Sequence, residues 1–149
     1  MPVPDRTRSP KRDLSGLDLS RWTLEPLREG DDLILYRARS RIPHSPLLVL
    51  APVAGITDER SLARLKREYE LASELEPAWA ICPLALCRHE GSLVLVLEDC
   101  GGSLLSCLIA HPLGLQSFLQ IAIRLAVAVG QVHQHGLIHK DLKPRFFVA

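Results

Sequence analysis

Aromatic side chains make up only 5% of the 149 residues, and the formal net charge is +1. A surface that stacks nucleic-acid bases needs more of the first, and one that attracts phosphates or anionic lipid needs more positive charge. Neither nucleic acid nor a membrane is therefore an expected partner. No C-x-x-C pair occurs among Cys82, Cys87, Cys100 and Cys107, which favours free, buried thiols in a reducing cytoplasm over a disulfide framework. Residues 1–13 contain no apolar core, so no signal peptide is expected. The most apolar stretch, Phe118 to Val132, is interrupted by Arg124 and is shorter than the ~20 residues a bilayer requires. No Lys or Arg lies between Arg41 and Arg60. What is present is an apolar share of 47% and a charged share of 23%, which are globular values.

The pattern along the chain predicts a disordered arm over 1–19, an α+β unit over 20–99 and a helical unit over 100–149. Trp22 and Leu24 begin a first strand, which the turn signal Arg28-Glu29-Gly30-Asp31-Asp32 ends. Leu33 to Ala38 and Leu47 to Val53 read as the second and third strands. Thr57 to Glu76 reads as a helix, capped by Thr57, stopped by Pro77 and apolar along Leu62, Leu65, Tyr69, Ala72 and Leu75. Glu68 falls inside that apolar arc, where a carboxylate needs a partner or a path to water. Ala80 to Arg88 and Ser92 to Leu97 form a hairpin around His89-Glu90-Gly91. The run Leu93 to Leu97 has no polar alternation and is expected to be a central strand buried on both faces. After the break at Glu98-Asp99-Cys100-Gly101-Gly102, a short helix capped by Ser103 leads to a long helix, Gln116 to His135. The long helix is apolar almost all round, so it is expected to be buried on most sides, with Gly136 as its C-terminal cap.

The last stretch, His133 to Ala149, carries the chemistry. Asp141 and Lys143 place an acid and a base two positions apart on a short loop stiffened by Pro144. His139-Lys140-Asp141-Leu142, with Phe146 five residues after Asp141, resembles the H-R-D-L-x-x-x-N catalytic loop of protein kinases, with Phe146 in place of the Asn. Leu35-Tyr36-Arg37-Ala38 looks like the V-Y-R-A that follows the kinase glycine-rich loop. Arg67-Glu68-Tyr69-Glu70-Leu71 is similar to the helix bearing the kinase glutamate, and Leu95 to Gly102 is similar to the last strand and hinge of the adenine pocket. The combination most resembles bacterial multidomain proteins in which a Ser/Thr-kinase-like region precedes an ATPase and a sensor histidine kinase.

The resemblance implies a kinase-like N-lobe, with a five-stranded antiparallel sheet and one helix, followed by the first helices of an incomplete helical C-lobe. It implies ATP and magnesium as cofactors and phosphoryl transfer to protein Ser/Thr as the family activity. Asp141 would accept the substrate hydroxyl proton, and Lys143 would steady the transferring phosphate. Glu68 would position a lysine, the backbone of Glu98 and Cys100 would bond adenine, and Leu97 would border the pocket. Gly30 would be the surviving glycine of the phosphate-binding loop.

Several expected positions are lost. The glycine-rich loop falls on Arg28 to Leu33, where only Gly30 remains and Asp31 and Asp32 add negative charge. The strand lysine of V-A-I-K falls near Leu50, in Leu48-Val49-Leu50-Ala51. Phe146 cannot hold a metal, and the D-F-G segment is not reached. One lost donor typically costs ~10²–10³ in rate, so weak or absent ATP binding and no turnover are expected. A partner-binding pseudokinase module is the alternative reading. A second alternative is a zinc site built from His133, His135 and His139. Leaving four or five large side chains of the long helix exposed would forfeit roughly 10 kcal/mol. The chain is therefore expected to bind a protein partner, or to self-associate, through that helix.

Overall fold

The computed structural model describes residues 17–40, 45–53 and 58–138. The chain divides into two compact units, one ending at Asp99 and the other beginning at Cys100.

The first unit is built on five strands, β1 Trp22–Glu29, β2 Leu33–Ser40, β3 Leu47–Pro52, β4 Pro83–His89 and β5 Ser92–Glu98. They form one sheet in the order β1-β2-β3-β5-β4, antiparallel at every pairing. The α+β expectation, with a single helix after the third strand, therefore holds. Alternation along the strands sends side chains to opposite faces. Leu33, Leu35, Leu48, Leu50 and Leu95 gather on one face, and Ala38, Leu47, Val49, Val94 and Val96 on the other. β5 is central, as its unbroken apolar run requires, and Val94, Leu95 and Val96 are fully buried.

The leucine face is covered by α1, Glu59–Glu70, which packs on β3, β4 and β5 and drives Leu65 into the core. α1 is shorter than its sequence pattern suggests. It tightens into a 3₁₀ turn over Leu71–Ser73, with Glu74 N–H bonded to Leu71 O at 2.9 Å. Such tightening is a common way for a helix to end, and Pro77 biases Glu76 away from helical geometry. Asp58 caps α1, its carboxylate accepting from Ser61 N–H at 2.8 Å; the expected cap, Thr57, lies outside the described residues. The helix meets the sheet through Ser61 and Leu65, one turn apart, so Tyr69 remains exposed rather than joining the expected stripe.

The opposite face is covered from the N-terminal side. A 3₁₀ turn over Leu19–Arg21 inserts Leu19 among Ala38, Leu47, Val49, Val94 and Val96. Leu17 and Leu19 thus cover an apolar surface of the sheet. At the β4–β5 tip, Glu90 (φ 48°) and Gly91 (φ 81°) are both left-handed, the conformation of a two-residue hairpin whose twist matches its strands. β4 starts at Pro83 rather than Ala80, because the Trp79 and Ala80 amides turn back to Glu76 O.

In the second unit, α2 is a single turn, Leu105–Leu108, preceded by Leu104 rather than capped by Ser103. α3 spans Leu115–Gln134. Gly136 (φ 73°) ends it as expected, with Gly136 N–H bonded to His133 O and Leu137 N–H to Val132 O, both at 3.0 Å. These two bonds make a Schellman cap. The expectation of a buried α3 is overturned: none of its residues is buried, and Leu115, Phe118, Leu119, Ile123 and Val127 are exposed. With 20 residues, α3 is also long and apolar enough to cross a membrane by length and composition. The sequence estimate fell short because it left out the flanking Leu115–Ser117 and the final turn. The four cysteines are free, but Cys82, Cys87 and Cys100 are only half-buried and Cys107 is exposed.

Candidate functional site

The leucine face of the sheet is where the kinase resemblance places a nucleotide. Strand register arranges it in transverse rows. Leu35, Leu50, Leu95 and Leu86 lie opposite one another across β2, β3, β5 and β4. Leu50 lies in the Leu48–Ala51 stretch where the strand lysine is expected. It is buried (6% exposed) in one cluster with Leu33, Leu35, Leu48, Leu65 and Leu95. An ammonium at that point would sit among leucine side chains, and a buried charge without a partner is strongly disfavoured. Glu68, half-exposed on α1, makes no ion pair or side-chain hydrogen bond among the described residues.

The glycine-rich loop has become a tight turn. β1 ends at Glu29 and β2 starts at Leu33, with Gly30 N–H bonded to Leu33 O at 2.9 Å. A Cβ on Gly30 would lie 2.8 Å from that same oxygen, so the turn itself explains this glycine. Leu33, at the place of the third loop glycine, is buried in the core. Asp32 is tied to its surroundings: its carbonyl accepts from Val53 N–H at 3.0 Å, and its carboxylate lies 3.3 Å from Arg64 of α1. A carboxylate in this place repels an incoming phosphate.

Leu97, Glu98 and Cys100, expected at the adenine edge, run from the end of β5 into the segment that follows. Leu97 flanks the leucine cluster. Glu98 N–H is already used, donating to Cys82 O at 3.0 Å. Cys100 is half-buried, with its thiol 3.8 Å from Gly101 O. Two nearby thiols are pushed up from their ordinary value. For Cys82 the cause is burial and then the Glu98 and Glu76 carboxylates; for Cys87 it is burial alone.

One pair escaped the sequence reading. Arg37 grips Asp99 with two hydrogen bonds, Nε to Oδ2 at 2.7 Å and Nη2 to Oδ1 at 3.2 Å. The signal was available. Arg37 has the same strand parity as Leu33 and Leu35, so it points to the leucine face, where a cation requires a partner.

Asp141, Lys143 and His139 lie outside the described residues. Among the described residues no group of three His, Cys, Asp or Glu side chains could hold a metal ion; His135 Nδ1 lies 2.9 Å from Gln131 O of its own helix.

No family model matches the chain. The serine/threonine-protein kinase pkn3 of Myxococcus xanthus is 33% identical over 92 residues, covering 60% of this chain. Calcium-dependent protein kinase 3 of Oryza sativa subsp. japonica is 34% identical over 87 residues, covering 56% of it. Calcium-dependent protein kinase 16 of the same plant is 33% identical over 87 residues, also covering 56%. The chain spans 17%, 16% and 16% of the lengths of these three relatives. Together with the five-stranded antiparallel sheet, this similarity supports a kinase-like N-terminal domain.

Proposed function

We propose that the chain is a degenerate kinase-like module that does not itself transfer a phosphoryl group and acts by binding a protein partner. The observation that carries this reading is Leu50. In the stretch where the strand lysine is expected, it is buried with Leu33, Leu35, Leu48, Leu65 and Leu95. Phosphoryl transfer works by positioning the phosphates and neutralising their charge. Here a leucine core stands where the cation is expected, a two-aspartate turn stands for the loop, and Glu68 has no counter-ion among the described residues. Asp141 and Lys143 retain the types of a catalytic loop but have no held phosphate to act on. ATP with magnesium, the cofactor pair of the kinase resemblance, then binds weakly or not at all.

The binding role is supported by the exposed Leu115, Phe118, Leu119, Ile123 and Val127 of α3. An apolar helix face of this extent is covered by a protein partner or by another copy in water. Phosphoryl transfer from γ-labelled ATP to a generic protein acceptor should stay at background, and ATP–magnesium should leave the melting temperature of the sheet unchanged. A strong ATP-dependent rise in melting temperature, or label transfer lost in Asp141→Asn, overturns the reading.

A further inference from the structure

The sheet has two edges, β1 and β4. An edge strand offers unpaired backbone groups to any other strand, and proteins normally blunt it with proline, charge or a bulge. β1 carries all three: Pro26, the charged Glu25, Arg28 and Glu29, and a register shift between Pro26 and Arg28. β4 is less guarded. Its own register shift falls at its start, between Pro83 and Ala85. From Ala85 to His89 it holds no proline and no acidic residue, and its only Lys or Arg is Arg88. The Arg88 guanidinium turns back to its own hairpin, donating to Gly91 O at 3.3 Å.

Register identifies the groups that β4 leaves outward. The two-residue Glu90-Gly91 tip makes His89 and Ser92 a hydrogen-bonded pair. Bonded and non-bonded pairs alternate in an antiparallel ladder, so Cys87 and Val94 form the next bonded pair. Leu86 and Arg88, opposite Leu95 and Leu93, then turn their N–H and C=O groups away from β5. Nothing among the described residues bonds to these outward groups. The side chains from Leu84 to Cys87 are half-buried, so an added strand would cover apolar surface as well as backbone.

We propose that this edge pairs with a second copy of itself, β4 against β4, antiparallel about a two-fold axis at Cys87. Leu86 of each copy then lies opposite Arg88 of the other, and every outward N–H and C=O of the two residues is used. Other symmetric registers do worse. An axis at Arg88 would set the two arginines face to face, and like charges directly opposite each other destabilise a sheet. An axis at Leu86 would require Leu84, which lies at the register shift. A second copy fits the edge because the same two residues supply donors and acceptors at the spacing they themselves require. The pairing belongs to the sheet unit and is independent of α3.

Amide hydrogen exchange and sedimentation velocity on the full chain carrying Ile123→Glu test the pairing, with a charge placed on α3 so that its apolar face does not drive association. Raising the protein concentration through the dimer transition should slow exchange of the Leu86 and Arg88 amides about tenfold. The Cys87 and His89 amides, already bonded to β5, should stay within about twofold. Arg88→Pro removes an outward N–H and leaves the β4–β5 ladder intact, so association should weaken at least about tenfold. Arg88→Ala keeps that N–H and should associate within about threefold of its parent. If Arg88→Pro does not fold, the alternating exchange pattern carries the test alone. A chain that stays monomeric at every concentration would overturn the pairing. So would association that leaves the Leu86 and Arg88 amides unchanged, or a folded Arg88→Pro protein that associates as its parent does.

Discussion

The two units spend similar apolar material in opposite ways. In the sheet unit, period-two strands and one amphipathic helix close on each other, and Leu48, Val49, Leu65, Val94, Leu95 and Val96 lose nearly all contact with water. In the second unit, α3 is at least as apolar, yet Ile123 is 63% and Leu115 74% exposed. The difference is one of partners rather than composition. Each face of the sheet has a covering element encoded nearby in the chain, whereas the apolar face of α3 has no such cover among the described residues. A helix of that kind is a surface that something else must cover.

Matched truncations probe this contrast most strongly. Leu95→Ala, in a fully buried site, should cost about 2–5 kcal/mol of stability, the range for removing leucine atoms from a core that relaxes only partly. Ile123→Ala on α3 should change the unfolding free energy by less than about 0.5 kcal/mol. Ile123→Glu should reduce concentration-dependent association in sedimentation velocity. A cost at Ile123 comparable with that at Leu95 would mean that the face is already covered and would erase the distinction between the units. Association unchanged by Ile123→Glu would remove α3 as the binding surface.

The thiols draw the same line on a finer scale. Cys82 and Cys87 in the sheet unit are half-buried, and burial raises both above the ordinary thiol value, so the reactive thiolate is scarce there. Cys107 in the second unit is exposed. Alkylation at mildly alkaline pH, followed by peptide mapping, should label Cys107 before Cys82 and Cys87. Raising the pH should speed the two slower sites without reversing the order. Labelling of Cys87 at the rate of Cys107 would show that the outer face of the sheet opens readily.

Much of this fold was legible in the sequence because it rests on local patterns. The strand alternation, the unbroken Leu93–Leu97 run, the Glu90-Gly91 tip and the Gly136 cap each follow from neighbouring residues. The misses share a cause as well. Whether α3 is buried depends on what packs beside it, and a helical wheel holds no information about that. The α1 stripe was drawn through Tyr69 because periodicity ranks side chains by type. Burial on the helix instead falls at Ser61 and Leu65. At the candidate site, the missing lysine could be read from the absence of cations after Arg41, but its physical meaning required the register that places Leu50 between Leu35 and Leu95. The Arg37–Asp99 pair joins residues too far apart for any local pattern, although strand parity already placed Arg37 where it needed a partner.

The smallest expected effect separates the helices by how they begin. Asp58 caps α1, and its carboxyl is held below its ordinary value of 3.8 chiefly by Ser61. Ser61 contributes through its side chain beside the carboxylate and through its N–H; only the N–H makes a formed hydrogen bond, and the Ser61 hydroxyl has no partner. α3 begins at Gly114 with no side-chain cap. A carboxyl whose folded value is lowered binds its proton less readily in the folded state than in the unfolded one. Its contribution is therefore complete above the unfolded value and lost as the pH falls through the lower folded value. Asp58→Ala should melt below wild type at neutral pH, and the gap should close as the pH drops below 3.8, once wild type has also lost its charged cap. The helical signal assigned to α3 should show no such pH-dependent gap between the two proteins. If the difference in melting persisted undiminished into that acid range, the ionised carboxylate would not be the feature that starts α1, and the contrast between a capped and an uncapped helix would have to rest on packing alone.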